Sequence, residues 1–374
     1  MTIFARSDTS TLGRWWWTVD RWTLAAVGVL IAFGIIMALA ASPAVAERIG
    51  LDYFFFARRQ LIYLPIALAL LIGGSLLSPR GVFRMATITL IVFVVLVMAT
   101  FIFGTETKGA TRWIAIGPMS LQPSEFLKPT FAVVAAWLFA SGRLGDLPHG
   151  YLVSIGAYCL IVGLLMLQPD VGMAIVISAV WTCQFFLAGL PLFWAVGLAI
   201  GGIASFITAY FTFSHVASRI DRFLDPSSGD SYQVDRSLEA FMNGGLFGRG
   251  PGEGTVKEVL PDAHSDFVFA VAGEEFGLFV CLIIVCLFGF VVLRGFAKAL
   301  QETDLFVLLA TSGLVVQFGL QAIINMGSTL RLMPTKGMTL PFVSYGGSSL
   351  IAMGLCIGFL LALTRKRLGA EVPR

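Results

Sequence analysis

The sequence predicts an all-α, polytopic integral membrane protein with about ten transmembrane helices. Three observations carry this expectation. Of 374 residues, 57% are hydrophobic and 13% charged. That is about half the charged share of a soluble domain and leaves too little polar surface to cover a globule. A bilayer-crossing helix takes about 20 apolar residues, so the apolar content suffices for about ten such helices. The apolar runs are also continuous, as in TLAAVGVLIAFGIIMALAAS at 23–42, where a membrane barrel would alternate apolar and polar residues. These features exclude a soluble enzyme, a disordered chain and a single-anchor protein with a large domain. The net charge of +3 is spread over many loops, without the basic patch that a nucleic-acid partner requires.

Taken in order, the chain opens on a polar cytoplasmic segment, 1–22, whose Trp15, Trp16 and Trp17 suit an interfacial anchor. No cleavable signal peptide is expected. Spans follow at 23–41, 61–77, 85–104, 124–141, 150–167, 171–189, 192–213, 267–293, 304–325 and 346–363, then a cytoplasmic tail, 364–374. An even number of spans puts both termini on one side. The excess of Lys and Arg in the short loops, above all Arg365, Lys366 and Arg367, makes that side cytoplasmic. The chain reads as a single integral membrane domain, 1–374, with no visible inverted repeat. Cys159, Cys183, Cys281, Cys286 and Cys356 all lie in apolar runs, where a thiol acts as a small hydrophobe and no loop disulfide is available. The three histidines lack metal-ligand spacing, so no metal site is expected.

Three connections are long, and this topology turns all of them outward: 105–123, 214–266 and 326–345. The longest lies between spans seven and eight. It alternates Arg219, Asp221, Arg222 and Asp225, then offers VDRSLEAFM, spaced for a short amphipathic helix at the interface. The Gly-rich stretch 243–254 follows, with Arg249 inside it and Lys257 just after. Its exposed N–H groups would suit a phosphate nest or belong to a flexible linker. The loop closes on His264, Ser265 and Asp266, where Asp266 is either a helix N-cap or a carboxylate able to take a proton from a hydroxyl. Glu274 and Glu275 lie deeper, where acids are functional or paired. In 105–130, Arg112 and Trp113 suit a headgroup-level phosphate site. Ser124 is a plausible cap, and the i,i+3 spacing of Glu125 and Lys128 suits a local ion pair. Gln168, Pro169 and Asp170 break spans five and six. The last outward loop carries Lys336, and Gly346 and Gly347 open a helix whose N-terminus attracts anions. Together these loops suit a substrate with a lipid tail, a phosphate group and a polar head.

Several motifs in combination resemble the SEDS family (shape, elongation, division and sporulation proteins) from about residue 20 to 367. They are RWIAIGPMSLQPSEFLK at 112–128, QPD at 168–170, RFLDP at 222–226, YQ with SL within 232–238, GLFGRGPGEG at 245–254, LPDAHSDFVFAVAGEEFG at 260–277 and LMPTKGMTLPFVSYGGSS at 332–349. GEEFG and PTKGMTLPFVSYGGSS are closest to the division branch; the elongation branch usually carries Thr-Gly for Lys-Gly and AEE for GEE. The sporulation branch is close in motif. Ser265 stands where Thr is common, and Arg236 where Gln is common. The resemblance implies a peptidoglycan glycosyltransferase that polymerises lipid II into glycan strands. The reaction would run on the outer face of the cytoplasmic membrane, at the division septum. It makes Asp266 the general base, with His264 its rival, and undecaprenyl pyrophosphate the leaving group. Arg112, Lys128, Arg249 and Lys336 become the candidate cations on that pyrophosphate, and Glu125 the partner of Lys128. A divalent ion such as Mg or Mn is an alternative source of positive charge, although no ligand set for one is visible. A class B penicillin-binding protein, a transpeptidase, and other divisome membrane proteins are the implied partners. The competing readings are a lipid II flippase and a scaffold that only recruits the transpeptidase.

Overall fold

The computed structural model describes residues 10–107, 110–117, 119–189, 192–212, 217–218, 221, 232–334 and 337–366. Helix α1 (Thr11–Thr18) is capped by Ser10, whose hydroxyl accepts from the Gly13 N–H at 3.0 Å. It is pinned by Trp15 Nε1 donating to Ser75 Oγ at 2.8 Å. The long apolar helices are α2 (Arg21–Arg48), α3 (Phe55–Ser75), α4 (Pro79–Phe103), α5 (Ser124–Leu144), α6 (Gly150–Leu167), α7 (Val171–Leu187) and α8 (Leu192–Thr212). After the short α9 (Tyr232–Gly244) and α10 (Val256–Val259) come α11 (Val268–Ala299), α12 (Leu305–Thr329) and α13 (Gly347–Leu363). Six of these, α2, α3, α4, α6, α11 and α12, are long and apolar enough to cross a membrane. The protein is therefore a multi-pass membrane protein.

The segment after α4 departs from the all-α expectation. Strands β1 (Thr105–Thr107), β2 (Ala110–Ile116) and β3 (Met119–Leu121) form a small antiparallel sheet in the order β1-β2-β3. The β-branched Thr and Ile residues of 105–116 fit a pleated surface, and positive φ at Gly117 allows the chain to reverse. Sequence periodicity could not show this, because the strands are short and neither end lies in an apolar run.

The bundle is built around α12, most of whose apolar length is buried, whereas little of α4 is. Hydrophobic side chains of α4 such as Ile88, Ile91 and Ile102 point outward, as lipid-facing residues do. Small residues bring α13 against α3: a Cβ at Gly354 would lie 2.4 Å from the Ala67 carbonyl oxygen, the close approach typical of membrane helix contacts. Cys159 and Cys286 face outward rather than inward, and all five cysteines are free thiols.

The first and last described residues share one end of the bundle. There Asp20 caps α2 and takes a fork from Arg294, at 2.7 Å from Nε and 2.8 Å from Nη2, with Lys298 at 3.8 Å. Burial alone would raise the Asp20 carboxyl, but the Arg294 hydrogen bonds, Lys298 and Thr23 hold it below its ordinary value. Lys298 also reaches the Thr364 carbonyl at 3.3 Å, and the Lys366 N–H donates to Thr18 O at 3.0 Å. These contacts tie the start of α2 to the ends of α11 and α13.

At the other end, α11 is not one continuous helix. Gly277 has φ 79° and ψ −179°, a conformation only glycine adopts freely. The Gly-rich loop after α9 threads this break. Leu278 and Phe279 N–H groups donate to Gly245 O and Leu246 O at 3.0 and 3.3 Å, while Arg249 and Gly250 N–H groups donate to Glu274 O and Glu275 O at 2.9 and 3.0 Å. The loop thus replaces the helical bonds that the break removes. Helix α9 is the expected amphipathic element, but it packs on the bundle. Phe241 meets Phe269 at 5.6 Å, and Ser237 Oγ donates to Thr329 O at 2.7 Å.

Candidate functional site

The end opposite the termini gathers most of the residues singled out by sequence. The segment 261–267 coils around one carbonyl: Ser265, Asp266 and Phe267 N–H groups all donate to Asp262 O, at 3.0, 3.1 and 3.3 Å. Helix α11 then begins at Val268, with Phe267 in the cap position and no side-chain cap bond. Asp266 is therefore not the N-cap. It is half-buried, and its backbone is held from both sides. Besides its N–H to Asp262, its carbonyl accepts from Asn325 Nδ2 on α12 at 2.9 Å, and the same amide group donates to Met338 O at 2.6 Å. Asn325, 1% exposed, thereby joins Asp266 to the loop before α13. Two further bonds close the seam: Ser344 Oγ to Ser265 O at 2.6 Å, and the Tyr345 N–H to His264 O at 2.9 Å. The Asp266 carboxylate faces Gly337, with Oδ2 3.5 Å from where a Cβ would lie. Lys336 falls outside the described residues.

His264 packs its ring on Phe56, with centroids 4.1 Å apart, and lies 5.3 Å from Tyr345. Burial raises the Tyr345 phenol and Arg59 partly offsets it. Arg59 itself sits over the Phe55 ring at 4.8 Å. Sequence reasoning passed over Arg59, which lies at the first turn of α3 in an otherwise unremarkable FFARRQ.

One layer deeper lies a buried polar network. Lys128 Nζ stands 2.8 Å from Glu125 Oε2 and donates to Gln321 Oε1 at 2.7 Å. Gln321 Nε2 donates to Thr339 O at 3.1 Å and to Ser349 Oγ at 3.2 Å. The Glu125–Lys128 pair is thus connected to the same 337–340 segment that flanks Asp266. Ser124 makes no cap bond; Pro123 occupies the cap position, and Ser124 Oγ accepts from Gln122 Nε2 at 3.2 Å. Gln317, Gln321 and Asn325 recur every four residues, so they line one face of α12. Polar residues at that spacing inside an apolar run were a readable signal that motif inspection missed.

Arg112 and Arg249 are engaged elsewhere. Arg112 donates to Gln168 O at 3.0 Å and to Pro169 O, and stands 3.7 Å from Asp170. It clamps the corner between α6 and α7. Asp170 caps α7 through Met173 N–H; burial raises its carboxyl, opposed by Arg112 and the Met173 bond. The Gly-rich loop is a nest whose anions are the protein's own. Glu274 accepts from Thr255 N–H at 3.0 Å and Val256 N–H at 3.1 Å, and Glu275 from Gly252 N–H at 3.0 Å and Lys257 Nζ at 2.6 Å. Arg249 is exposed and 3.9 Å from Glu274.

A helical bundle with six helices able to cross a membrane and a polar, multi-element seam at one end defines a multi-pass membrane protein. The chain belongs to the FtsW/RodA/SpoVE family of cell cycle proteins, whose model matches residues 21–368. A relative from Caulobacter vibrioides, named probable peptidoglycan glycosyltransferase FtsW, is 45% identical over 98% of this chain and 94% of its own length. An Escherichia coli protein of the same name is 34% identical over 92% of this chain and 85% of that one. Among solved structures, a peptidoglycan synthase complex shares the fold with TM-score 0.75 and 27% identity, covering 92% of this chain and 97% of that one. The rod shape determining protein RodA of Thermus thermophilus gives TM-score 0.69 and 29% identity, covering 93% and 97%.

Proposed function

We propose that this protein is a peptidoglycan glycosyltransferase that polymerises lipid II into glycan strands during septal wall synthesis in cell division. The names of its near-full-length relatives support the activity and the septal role. The observation that carries the site is the seam between 262–267 and 337–345, in which Asp266 is half-buried and fixed by its backbone. All ten long helices cross the membrane, both termini are cytoplasmic, and the seam faces outward. The shared end of the termini at Asp20 and Arg294 supports that orientation.

In the proposed step, Asp266 takes the proton from the acceptor's sugar 4-hydroxyl. That oxygen attacks the anomeric carbon of the donor, and the bond to undecaprenyl pyrophosphate breaks with inversion, the leaving group keeping the electron pair. One positioned base contributes roughly 10²–10⁴ in rate. The leaving group already carries stable charge, so nearby cations assist it without a second acid. Arg112, Lys128, Arg249 and Lys336 are the proposed cations, joined by Arg59, which lies beside Tyr345 next to the seam. Among the described residues no group of three or more His, Cys, Asp or Glu side chains is arranged to hold a metal. A single-span class B penicillin-binding protein, cross-linking the new strand, is the proposed partner.

A lipid II flippase is the competing reading, and the buried polar residues Gln184 and Gln317 would be its basis. The purified chain, incubated with lipid II and its cognate class B penicillin-binding protein, should yield ladders of glycan polymer on a gel. Transfer of labelled lipid between leaflets without polymer would replace the polymerase reading with the flippase.

A further inference from the structure

Away from the Asp266 seam, a cleft of about 620 Å³ opens between the second half of α2, the 49–54 turn and the Gly252–Glu258 stretch. Its volume lies in the range of small-molecule sites. One wall is a stripe of α2, with Leu39, Pro43 and Ala44 at its apolar end and Glu47 and Arg48 at its charged end. The stripe therefore crosses from apolar to charged where the apolar run of α2 ends, which is the boundary between hydrocarbon and headgroups. Tyr53 and Phe54, an edge-on pair 5.0 Å apart and both exposed, form the lip. Aromatic residues favour that interfacial depth. Pro43 also has no N–H to give Leu39 O, so a carbonyl acceptor is left on the apolar wall.

The charges at the mouth select among amphiphiles. Lys257 is occupied by Glu275 at 2.6 Å and Gly252 O at 2.9 Å. Glu47, Arg48 and Glu258 have no ion-pair partner among the described residues. Two acids and one base remain to meet a ligand. A headgroup carrying an ammonium and a phosphate matches them, ammonium to the carboxylates and phosphate to Arg48. A purely anionic headgroup or a pyrophosphate would set its charge against two carboxylates.

We propose that this cleft binds a zwitterionic aminophospholipid of the outer leaflet. The bound lipid braces the pinned stretch 252–258, which leads directly through Leu260 to Asp266. The inference rests on the membrane fold and outward orientation, not on the polymerase reading.

The test is native mass spectrometry of the purified full chain titrated with phosphatidylethanolamine, phosphatidylglycerol or undecaprenyl pyrophosphate. Phosphatidylethanolamine should be retained roughly tenfold better than either anionic lipid, about 1.4 kcal/mol. Ala44→Trp should fill the cleft and abolish that preference while the thermal midpoint stays unchanged. The double variant Glu47→Lys/Glu258→Lys should reverse it in favour of phosphatidylglycerol. Equal retention of the three lipids by the unaltered protein would overturn the proposal. So would tighter binding of undecaprenyl pyrophosphate that Ala44→Trp removes, or a preference that both variants leave intact.

Discussion

Asp266 and the Glu274–Glu275 pair flank the same short helical stretch, yet the protein treats them in opposite ways. The two glutamates are 0% and 1% exposed, and backbone N–H groups and Lys257 converge on their carboxylates. Asp266 is half-buried, and the bonds to Asp262 and Asn325 hold its peptide groups. Carboxylates enclosed by donors are structural anchors, since the negative charge is consumed in holding a loop to a helix. Asp266 is instead positioned through its main chain, and those backbone bonds set where its carboxylate stands.

The sharpest way to break this contrast is Asp266→Asn, which keeps size and polarity but takes up no proton at neutral pH. It should insert normally, bind its partner and lose roughly 10²–10⁴ of the polymerisation rate on lipid II. If it polymerises at near the unaltered rate while His264→Ala is inactive, the base is His264. The structural side is tested by Lys257→Met, which strands Glu275. Loss of one partner of a buried pair costs about 3–5 kcal/mol, and denaturant unfolding in mixed micelles should show it. Lys257→Met/Glu275→Leu should recover most of the loss, because the uncompensated charge goes too.

Asn325→Ala probes the hold on the Asp266 backbone. Two buried hydrogen bonds disappear, each worth about 0.5–1.5 kcal/mol, so the polymerisation rate should fall on the order of 5- to 150-fold. If positioning is the cause, kcat falls with KM nearly unchanged; a drop confined to the unfolding midpoint would make Asn325 purely structural. The smallest effect is expected at Asp170. Burial raises its carboxyl, so the folded state holds that proton more tightly than the unfolded chain does. Its contribution is full below the ordinary carboxylate range and is lost as pH rises through the raised value. Asp170→Asn keeps the α7 cap and removes the titration. The variant should lose less stability than the parent between acid and neutral pH, measured by thermal midpoints at each pH.

Much of the helical layout was legible, because an apolar run long enough to cross a bilayer has few other fates. Each expected apolar segment holds a long helix, with ends displaced by a few residues. Those shifts arise where polar ends such as Arg21 and Arg48 extend a helix beyond its hydrophobic stretch. The sheet over 105–121 was not legible, since three- and seven-residue strands leave no periodicity to count. The i,i+3 rule anticipated the Glu125–Lys128 contact, but Gln321, which joins it from almost 200 residues away, has no local signature. Glycine richness announced a nest at 243–254 without naming its anion. That Glu274 and Glu275 fill it depends on the break at Gly277, a tertiary event.

That break also sets a length. An unbroken helix of 32 residues would measure about 48 Å at 1.5 Å per residue, far more than the roughly 30 Å of hydrocarbon it has to cross. Beyond Gly277 only Leu278–Ala299 continues, about 33 Å of helix, close to the hydrocarbon thickness. The interruption therefore acts as a depth gauge. On the proposed outward orientation it would place the water–lipid boundary near Leu278, with Glu274, Glu275 and the Asp266 seam on the water side.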